Sequence, residues 1–217
     1  MLERYLHRLS ATEIGMEDPA ATRERLKARF KPGATRRMTQ LGMLVGAAIE
    51  EVGPGPDDAM VYASAYAESR ALEGYLDSFP AASPTLFQTS IHPSAVQQAL
   101  IGRQLPVGEF FPLTGRAHLV AHAVQAALLA TAARVIVCGG EERGTWLLEK
   151  GTASDRAFAF AFALSHDPAG ALASIALTGT DAAATELGLP EFFDALQTRR
   201  PLDATAAPGL RLTLRWL

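Results

Sequence analysis

Residues 115–142 read GRAHLVAHAVQAALLATAARVIVCGGEE, and this stretch decides the fold. Its first part, Gly115 to Ala132, places apolar residues on nearly every side of a helix. A helix without a polar face is normally covered by protein on all sides. Its second part, Arg134 to Cys138, is rich in β-branched residues and ends at two glycines, which is typical of a buried strand. We therefore predict a buried helix followed by a buried strand.

The segments on either side alternate between helical and strand patterns. Helices are predicted over residues 18–31, 35–52, 68–79, 90–104 and 189–196, and strands over residues 59–65, 109–113, 157–165, 171–178 and 210–217. Residues 1–15 show only weak periodicity. The short connection between 157–165 and 171–178 predicts a hairpin. The alternation in the middle of the chain indicates an α/β protein with a largely parallel sheet.

Composition excludes several classes of protein. The chain has 217 residues, 48% of them apolar and 20% charged, which is too apolar for a disordered segment. A net charge of -3 offers no basic surplus for phosphate backbones, so we expect no nucleic-acid partner. One cysteine cannot form an internal disulfide. The length predicts a single domain over residues 1–217.

Targeting and membrane signals are not recognisable. The start of the chain mixes charged and apolar residues and does not resemble a signal peptide. The most apolar stretch, residues 117–138, contains polar side chains and changes from a helical to a strand pattern, whereas a membrane span needs about 20 apolar residues in one helix. We expect a cytoplasmic protein without a membrane span.

The sequence contains few residues in patterns typical of metal or cofactor binding. His118 and His122 are spaced so that both could reach one metal ion, but two ligands are too few for a closed site. Gly139 and Gly140 follow a strand, yet Glu141 and Glu142 come next and would repel a pyrophosphate. We therefore expect neither a metal nor a cofactor.

Candidate nucleophiles lack recognisable partners. Cys138 ends a strand and is typical of a small buried apolar residue. His92 precedes Pro93 at a predicted helix start, where a neutral imidazole could cap the helix. No GxSxG motif of a serine hydrolase is present.

Residues 83–142, SPTLFQTSIHPSAVQQALIGRQLPVGEFFPLTGRAHLVAHAVQAALLATAARVIVCGGEE, resemble the central part of a β-ketoacyl synthase of the thiolase fold. The resemblance rests on the order of the Ser90–Pro93 helix start, the Glu109–Leu113 strand, the apolar helix and the Val137–Glu142 strand end. Arg36-Arg37-Met38 and Asp155–Phe158 resemble flanking family segments, so the likeness covers about residues 30–180. It implies one half of the αβαβα ketosynthase fold, with a mixed, mostly parallel sheet and a buried central helix.

The departures from the family concern its catalytic residues. In ketosynthases a cysteine in the turn before the buried helix holds the acyl chain, and a second half of the chain supplies two histidines. Counting back from Gly139-Gly140 places the cysteine position at Leu113 or Thr114, and neither is cysteine. The second half is missing as well. The resemblance thus implies the fold with a degenerate nucleophile position and no catalytic residues.

Three functions follow from these observations. The first, which the resemblance implies, is a non-catalytic, chain-length-factor-like protein of a fatty-acid or polyketide pathway of the aryl polyene type. Its expected partners are a second copy or an active ketosynthase, with an acyl carrier protein as a further partner. The second is a small acyltransferase that handles acyl thioesters through Thr114, Ser90, His92 or Cys138. The third is an α/β module that binds a small acidic or acyl ligand.

For the first function, we expect the interface with the partner at the strand Glu109–Leu113 and the helix next to it. Phe110 and Phe111 fall on opposite faces of this strand, so one ring can enter the core while the other needs a different cover. The resemblance also implies that a lone half leaves the 115–132 helix uncovered, and we expect a partner to cover it.

Overall fold

Eight strands form one continuous sheet in the computed structural model, which describes residues 1–217. The strands are β1 (Leu2–Glu13), β2 (Ala59–Ser64), β3 (Glu109–Thr114), β4 (Arg134–Glu141), β5 (Phe158–Ser165), β6 (Ala173–Gly179), β7 (Leu202–Ala207) and β8 (Leu210–Trp216). The helices are α1 (Pro19–Leu26), α2 (Gln40–Val52), α3 (Ser69–Asp77), α4 (Pro84–Thr89), α5 (Ser94–Arg103), α6 (Leu119–Leu129), α7 (Trp146–Glu149) and α8 (Leu189–Gln197). None of the helices has the length and apolar character that crossing a membrane requires.

The strand pairings confirm a mixed sheet, but most neighbouring strands are antiparallel rather than parallel. The order of the strands is β3-β2-β4-β5-β1-β6-β8-β7. Only the two pairings of β2, with β3 and with β4, are parallel, and all others are antiparallel. The prediction of a largely parallel sheet is therefore wrong. Helical crossovers link only the β2, β3 and β4 part of the chain, and parallel pairing depends on such crossovers.

The strand β1 lies in the middle of the sheet, between β5 and β6. The predicted hairpin of residues 157–165 and 171–178 is thus wrong, because β1 separates the two strands. Sequence periodicity missed β1 since charged residues interrupt it. Arg4 is almost fully buried there, and its guanidinium donates to the backbone carbonyls of Ala130 and Ala132 just after α6.

The helix α2 covers one face of the sheet. It packs against β5, β1 and β4, and eleven of its thirteen residues are buried. The hydroxyl of Thr39 accepts a hydrogen bond from the N–H of Gly42 and so caps its start, while Gly53 ends it with a φ of 67°. The helices α1 and α5 pack on α2 from outside, so that α2 is an inner layer.

The helix α6 covers the opposite face and is buried as predicted, with seven of its eleven residues inaccessible. It begins at Leu119 rather than at Gly115, because Gly115 and His118 both adopt a positive φ. Only a narrow stripe that includes His122 and Leu129 faces outward.

The C-terminal part of the chain supplies the cover of α6. The helix contacts α8, β6 and β7, and Phe192 and Phe193 of α8 pack on the phenylalanines of β5. The expectation that a partner must cover this helix is therefore wrong. Residues 187–214 provide the apolar surface that completes its core.

Candidate functional site

The predicted nucleophile position lies at the end of strand β3. Leu113 and Thr114 are the last two residues of this strand, and residues 115–118 separate them from α6. Leu113 packs partly against the core around α6, whereas Thr114 is exposed. The whole segment between β3 and α6 contains no cysteine.

The residue directly before α6 is His118, whose φ of 57° lies in the left-handed region. Such a backbone is strained for a residue other than glycine. Its Nδ1 lies 3.2 Å from the carbonyl oxygen of Ala206 in β7, which fixes the ring. The ring of His122 stands edge-on to it with the centroids 6.3 Å apart. No group of three metal-ligating side chains forms here or elsewhere in the chain.

Cys138 lies on the other face of the sheet from α6. It is fully buried among the residues that pack around α2, and burial raises the pKa of its thiol well above the usual range. A thiol in this state is protonated and inaccessible to substrates. Cys138 therefore does not stand in for the missing cysteine at the β3–α6 turn.

Buried glutamates hold the loops that follow β2 and β4. Glu141 accepts hydrogen bonds from the hydroxyl of Ser64 and from the N–H groups of Ala65 and Tyr66. Glu73 accepts from the N–H groups of Thr145 and Leu147 at 2.7 and 2.8 Å. These carboxylates serve backbone donors that would otherwise be buried without partners. Sequence reasoning interpreted Glu141 only as repelling a pyrophosphate and did not single out Glu73.

Burial also changes the ionisation of the adjacent pair Glu141 and Glu142. It raises the pKa of Glu141 to about 8 and that of Glu142 to about 7, because charged carboxylates are poorly solvated there. Hydrogen bonds from backbone N–H groups lower both pKa values in part. Near neutral pH these two groups hold a proton part of the time.

His92 belongs to a structural cluster rather than to a nucleophile–base pair. Its ring stacks on Tyr62 at a centroid distance of 5.2 Å, and its Nδ1 lies 3.2 Å from Oε2 of Glu68. Glu68 also accepts from the N–H of Ala95 in the first turn of α5. The expected helix cap is thus Glu68 and not His92. Ser90 donates its hydroxyl hydrogen to the carbonyl of Phe87 and forms no hydrogen bond with this imidazole.

The strand β3 is the free edge of the sheet, since it pairs only with β2. Its two phenylalanines lie on opposite faces as predicted. Phe110 packs against the core around α2, while Phe111 is 36% exposed. An unpaired strand edge with an exposed aromatic ring is a site where another chain can add a strand.

A second exposed surface lies on α3 and α4, and we call it the α3–α4 patch. It consists of large apolar side chains between 37% and 55% exposed: Leu72, Leu76, Phe79, Leu86, Phe87 and Ile91. The ring of Tyr75 packs against Phe79 and Phe87 and joins the two helices. Clustered apolar exposure of this kind marks interaction surfaces.

Comparison with known proteins identifies the fold. No model of a known family matches the sequence, and no curated protein matches it. The chain is similar to a chain in the structure of the ketosynthase ApeO in complex with its chain length factor ApeC from Xenorhabdus doucetiae. The TM-score is 0.71 at 17% identity, over 99% of this chain and 100% of that chain. It is also similar to the ishigamide ketosynthase/chain length factor, with a TM-score of 0.58 at 14% identity, over 82% of this chain and 68% of that one. The chain therefore has the thiolase-like fold of ketosynthases and chain length factors.

Proposed function

We propose that this chain is a chain-length-factor-like protein that pairs with an active ketosynthase in a polyketide-type pathway. The observation that carries the proposal is the alignment, over both lengths, with a chain from a complex of a ketosynthase and its chain length factor. The two aligned chains are nearly equal in length, so the likeness is to a complete chain of that complex. Within such pathways we place it in the fatty-acid-like, aryl polyene type.

The proposed role is non-catalytic. Claisen condensation needs a thiolate to hold the acyl chain and donors to stabilise the oxyanion. The turn between β3 and α6 holds no cysteine, and Cys138 is buried on the far side of the sheet. We therefore assign the condensation to the partner ketosynthase, which would receive its acyl chain from an acyl carrier protein.

The partner is proposed to bind at the free edge of β3. An antiparallel strand of the ketosynthase would satisfy the outward backbone groups of this edge and cover Phe111. The α3–α4 patch would extend the buried area beyond one strand. A strand pairing alone is too small for a stable complex, because specific interfaces bury about 1,200–2,000 Å² in total.

Co-expression with any ketosynthase that the neighbouring reading frames encode tests this function. We expect a one-to-one complex by size-exclusion chromatography with light scattering. We also expect condensation from an acyl-carrier thioester and a malonyl donor with the complex but not with this chain alone. Condensation by the chain alone, or two proteins that elute separately at micromolar concentration, would refute the proposal.

A further inference from the structure

A cleft of about 250 Å³ lies between the start of α2 and the helices α3 and α4. Four arginines line it: Arg23, Arg36, Arg37 and Arg70. The only acidic side chain in its wall is Glu142. Since the whole chain carries a net charge of -3, this concentration of positive charge is local. None of the lining residues belongs to β3 or α6.

Two of these arginines are free to bind an anion. Arg36 and Arg37 are exposed and form no ion pair with the protein. Arg23 donates to the backbone carbonyls of Thr35 and Met38 and so fixes the short segment that carries them. Arg23 thus holds in place the backbone that carries Arg36 and Arg37.

Arg70 is only partly engaged. Its Nη1 lies 2.9 Å from Oε2 of Glu73 and 2.6 Å from Oγ1 of Thr145, while its other nitrogens make no hydrogen bond. The planar fork of arginine binds phosphate oxygens in pairs, and it holds its charge throughout the physiological range. Several arginines around one small cleft therefore favour a phosphate group over a neutral ligand.

Glu142 lines the same cleft and carries a buried acceptor without a partner. Its Oε2 accepts from the N–H of Leu41 at 3.1 Å, whereas Oε1 is buried and has no hydrogen-bond partner. Burial raises the pKa of Glu142, and the N–H groups of Leu41 and Ala71 lower it in part. Neither of these N–H groups forms a hydrogen bond with Oε1. A buried carboxylate oxygen without a donor is unfavourable. A ligand that supplies a donor at this point would remove that penalty.

We propose that the cleft binds a small phosphorylated ligand whose phosphate contacts Arg36 and Arg37 and whose hydroxyl or amide donates a hydrogen bond to Oε1 of Glu142. The two parts of the site require two parts of the ligand, an anion and a neighbouring donor. The groups that would contact the ligand, Arg36, Arg37 and Glu142, lie outside both β3 and the α3–α4 patch, although Leu86 of that patch lines the cleft wall. The inference therefore does not depend on the partner role proposed above.

Calorimetric titration of the full chain tests the proposal with three probes: sn-glycerol 3-phosphate, inorganic phosphate and glycerol. Glycerol 3-phosphate carries both required groups, so we expect it to bind more tightly than inorganic phosphate, and glycerol not to bind. The double variant Arg36→Gln/Arg37→Gln should weaken the binding of glycerol 3-phosphate about tenfold or more. The control Arg199→Gln/Arg215→Gln removes two exposed arginines outside the cleft and should bind like the wild type.

The variant Glu142→Leu tests the contact with the ligand's hydrogen-bond donor separately from the binding of its phosphate. It should bind glycerol 3-phosphate only as well as inorganic phosphate, with circular dichroism as the check that it folds. The arginine variants alter exposed side chains only, so they decide the proposal even where Glu142→Leu does not fold. Absence of glycerol 3-phosphate binding, or equal binding by the arginine variant and its control, would overturn the site. Equal wild-type affinity for glycerol 3-phosphate and inorganic phosphate would overturn the role of Glu142.

Discussion

Arg156 binds Asp194 through both of its terminal nitrogens, with Nη1 3.1 Å from Oδ2 and Nη2 2.7 Å from Oδ1. Its Nε donates to Oε1 of Glu13 at 2.8 Å. The guanidinium also lies over the rings of Phe158 and Phe193. One side chain thus joins the end of β1, the start of β5 and the helix α8, which covers α6.

Replacement of Arg156 by alanine should loosen this connection. We expect the free energy of unfolding to fall by about 1–2 kcal/mol, since the ion pairs are bidentate but partly exposed to solvent. Urea denaturation followed by circular dichroism measures the change. Arg211 forms a similar pair with Asp203 on the exposed β7–β8 hairpin, so Arg211→Ala is the matched control and should cost less. Equal losses for the two variants would show that Arg156 has no special role.

Gly139 in β4 tolerates no side chain. A Cβ at this position would overlap the carbonyl oxygen of Ala63 in β2 and press on the ring of Phe160. Gly139→Ala should therefore destabilise the protein by about 3 kcal/mol or more, because neighbouring strand backbones cannot move apart cheaply. Gly179→Ala at the open end of β6 meets no atom within 4 Å and serves as the control. Thermal unfolding of both variants checks the difference, and a Gly139→Ala protein as stable as the control would contradict this packing.

The pair Glu141 and Glu142 should make stability depend on pH. Burial raises their folded-state pKa values to about 8 and about 7, above the value of 4.5 for an unperturbed glutamate. The folded chain then holds protons that the unfolded chain has released. The free energy of unfolding should fall as pH rises from about 4.5 to about 8 and level off above that. The pKa of Asp194 is lowered by Arg156, so its contribution changes below this window and does not oppose the trend.

Urea denaturation at several pH values between about 5 and 9 measures this dependence. Glu142→Gln should reduce the slope, since an amide does not titrate, while Glu141 keeps its own contribution. Glu149→Gln, at an exposed position, should leave the slope as in the wild type. A wild-type stability that rises with pH across this range would show that the two carboxylates are ionised in the folded state.

The free edge of β3 should control association. Phe111→Asp places a charge where the partner strand is expected, so the mass in solution of the complex with the ketosynthase, or of the oligomer, should drop while the fold is kept. Light scattering and circular dichroism measure the two quantities. Ile101→Asp alters an even more exposed residue on α5 and is the control. Phe110→Asp should instead lower stability, because Phe110 packs against the core around α2. If the Phe111→Asp variant keeps the wild-type mass in solution, the interface does not lie at the free edge of β3.

The thiol of Cys138 should not react with alkylating reagents in the native protein. Its thiol is fully buried and its pKa is raised by that burial, so iodoacetamide should modify it only after denaturation. Intact-protein mass spectrometry with and without guanidinium chloride measures the modification. Rapid labelling of the folded chain, or a covalent acyl adduct at this residue, would support the acyltransferase alternative.

Sequence periodicity was sufficient for the elements whose burial is uniform. The strands β2, β4 and β5 and the inner helices α2 and α6 follow from runs of apolar residues, because both faces of these elements are covered. The strand β1 could not be predicted in this way. Arg4 is buried within it, and only tertiary contact with the end of α6 provides the carbonyl acceptors that make such burial possible.

The candidate site was harder to predict than the fold. Counting along the chain placed the degenerate nucleophile position near the end of β3, but the left-handed backbone of His118 leaves no mark in the sequence. Glu68 and Glu73 likewise belong to no motif, because their carboxylate oxygens accept hydrogen bonds from backbone N–H groups that are distant in the chain. The arginine cleft depends on Arg23 and Arg70 meeting from separate helices, which no local spacing reveals.

The central place of β1 has a consequence for synthesis on the ribosome. Leu2 lies opposite Leu177, and Glu13 lies opposite Phe158. The first strand to leave the exit tunnel must therefore wait unpaired until most of the chain has followed, and the two halves of the sheet cannot join before then. Such long-range pairing slows folding and leaves strand edges accessible in the meantime. Nascent chains arrested before residue 158 should accordingly be cut by protease within β1, and protection should arise only once β5 and β6 have emerged.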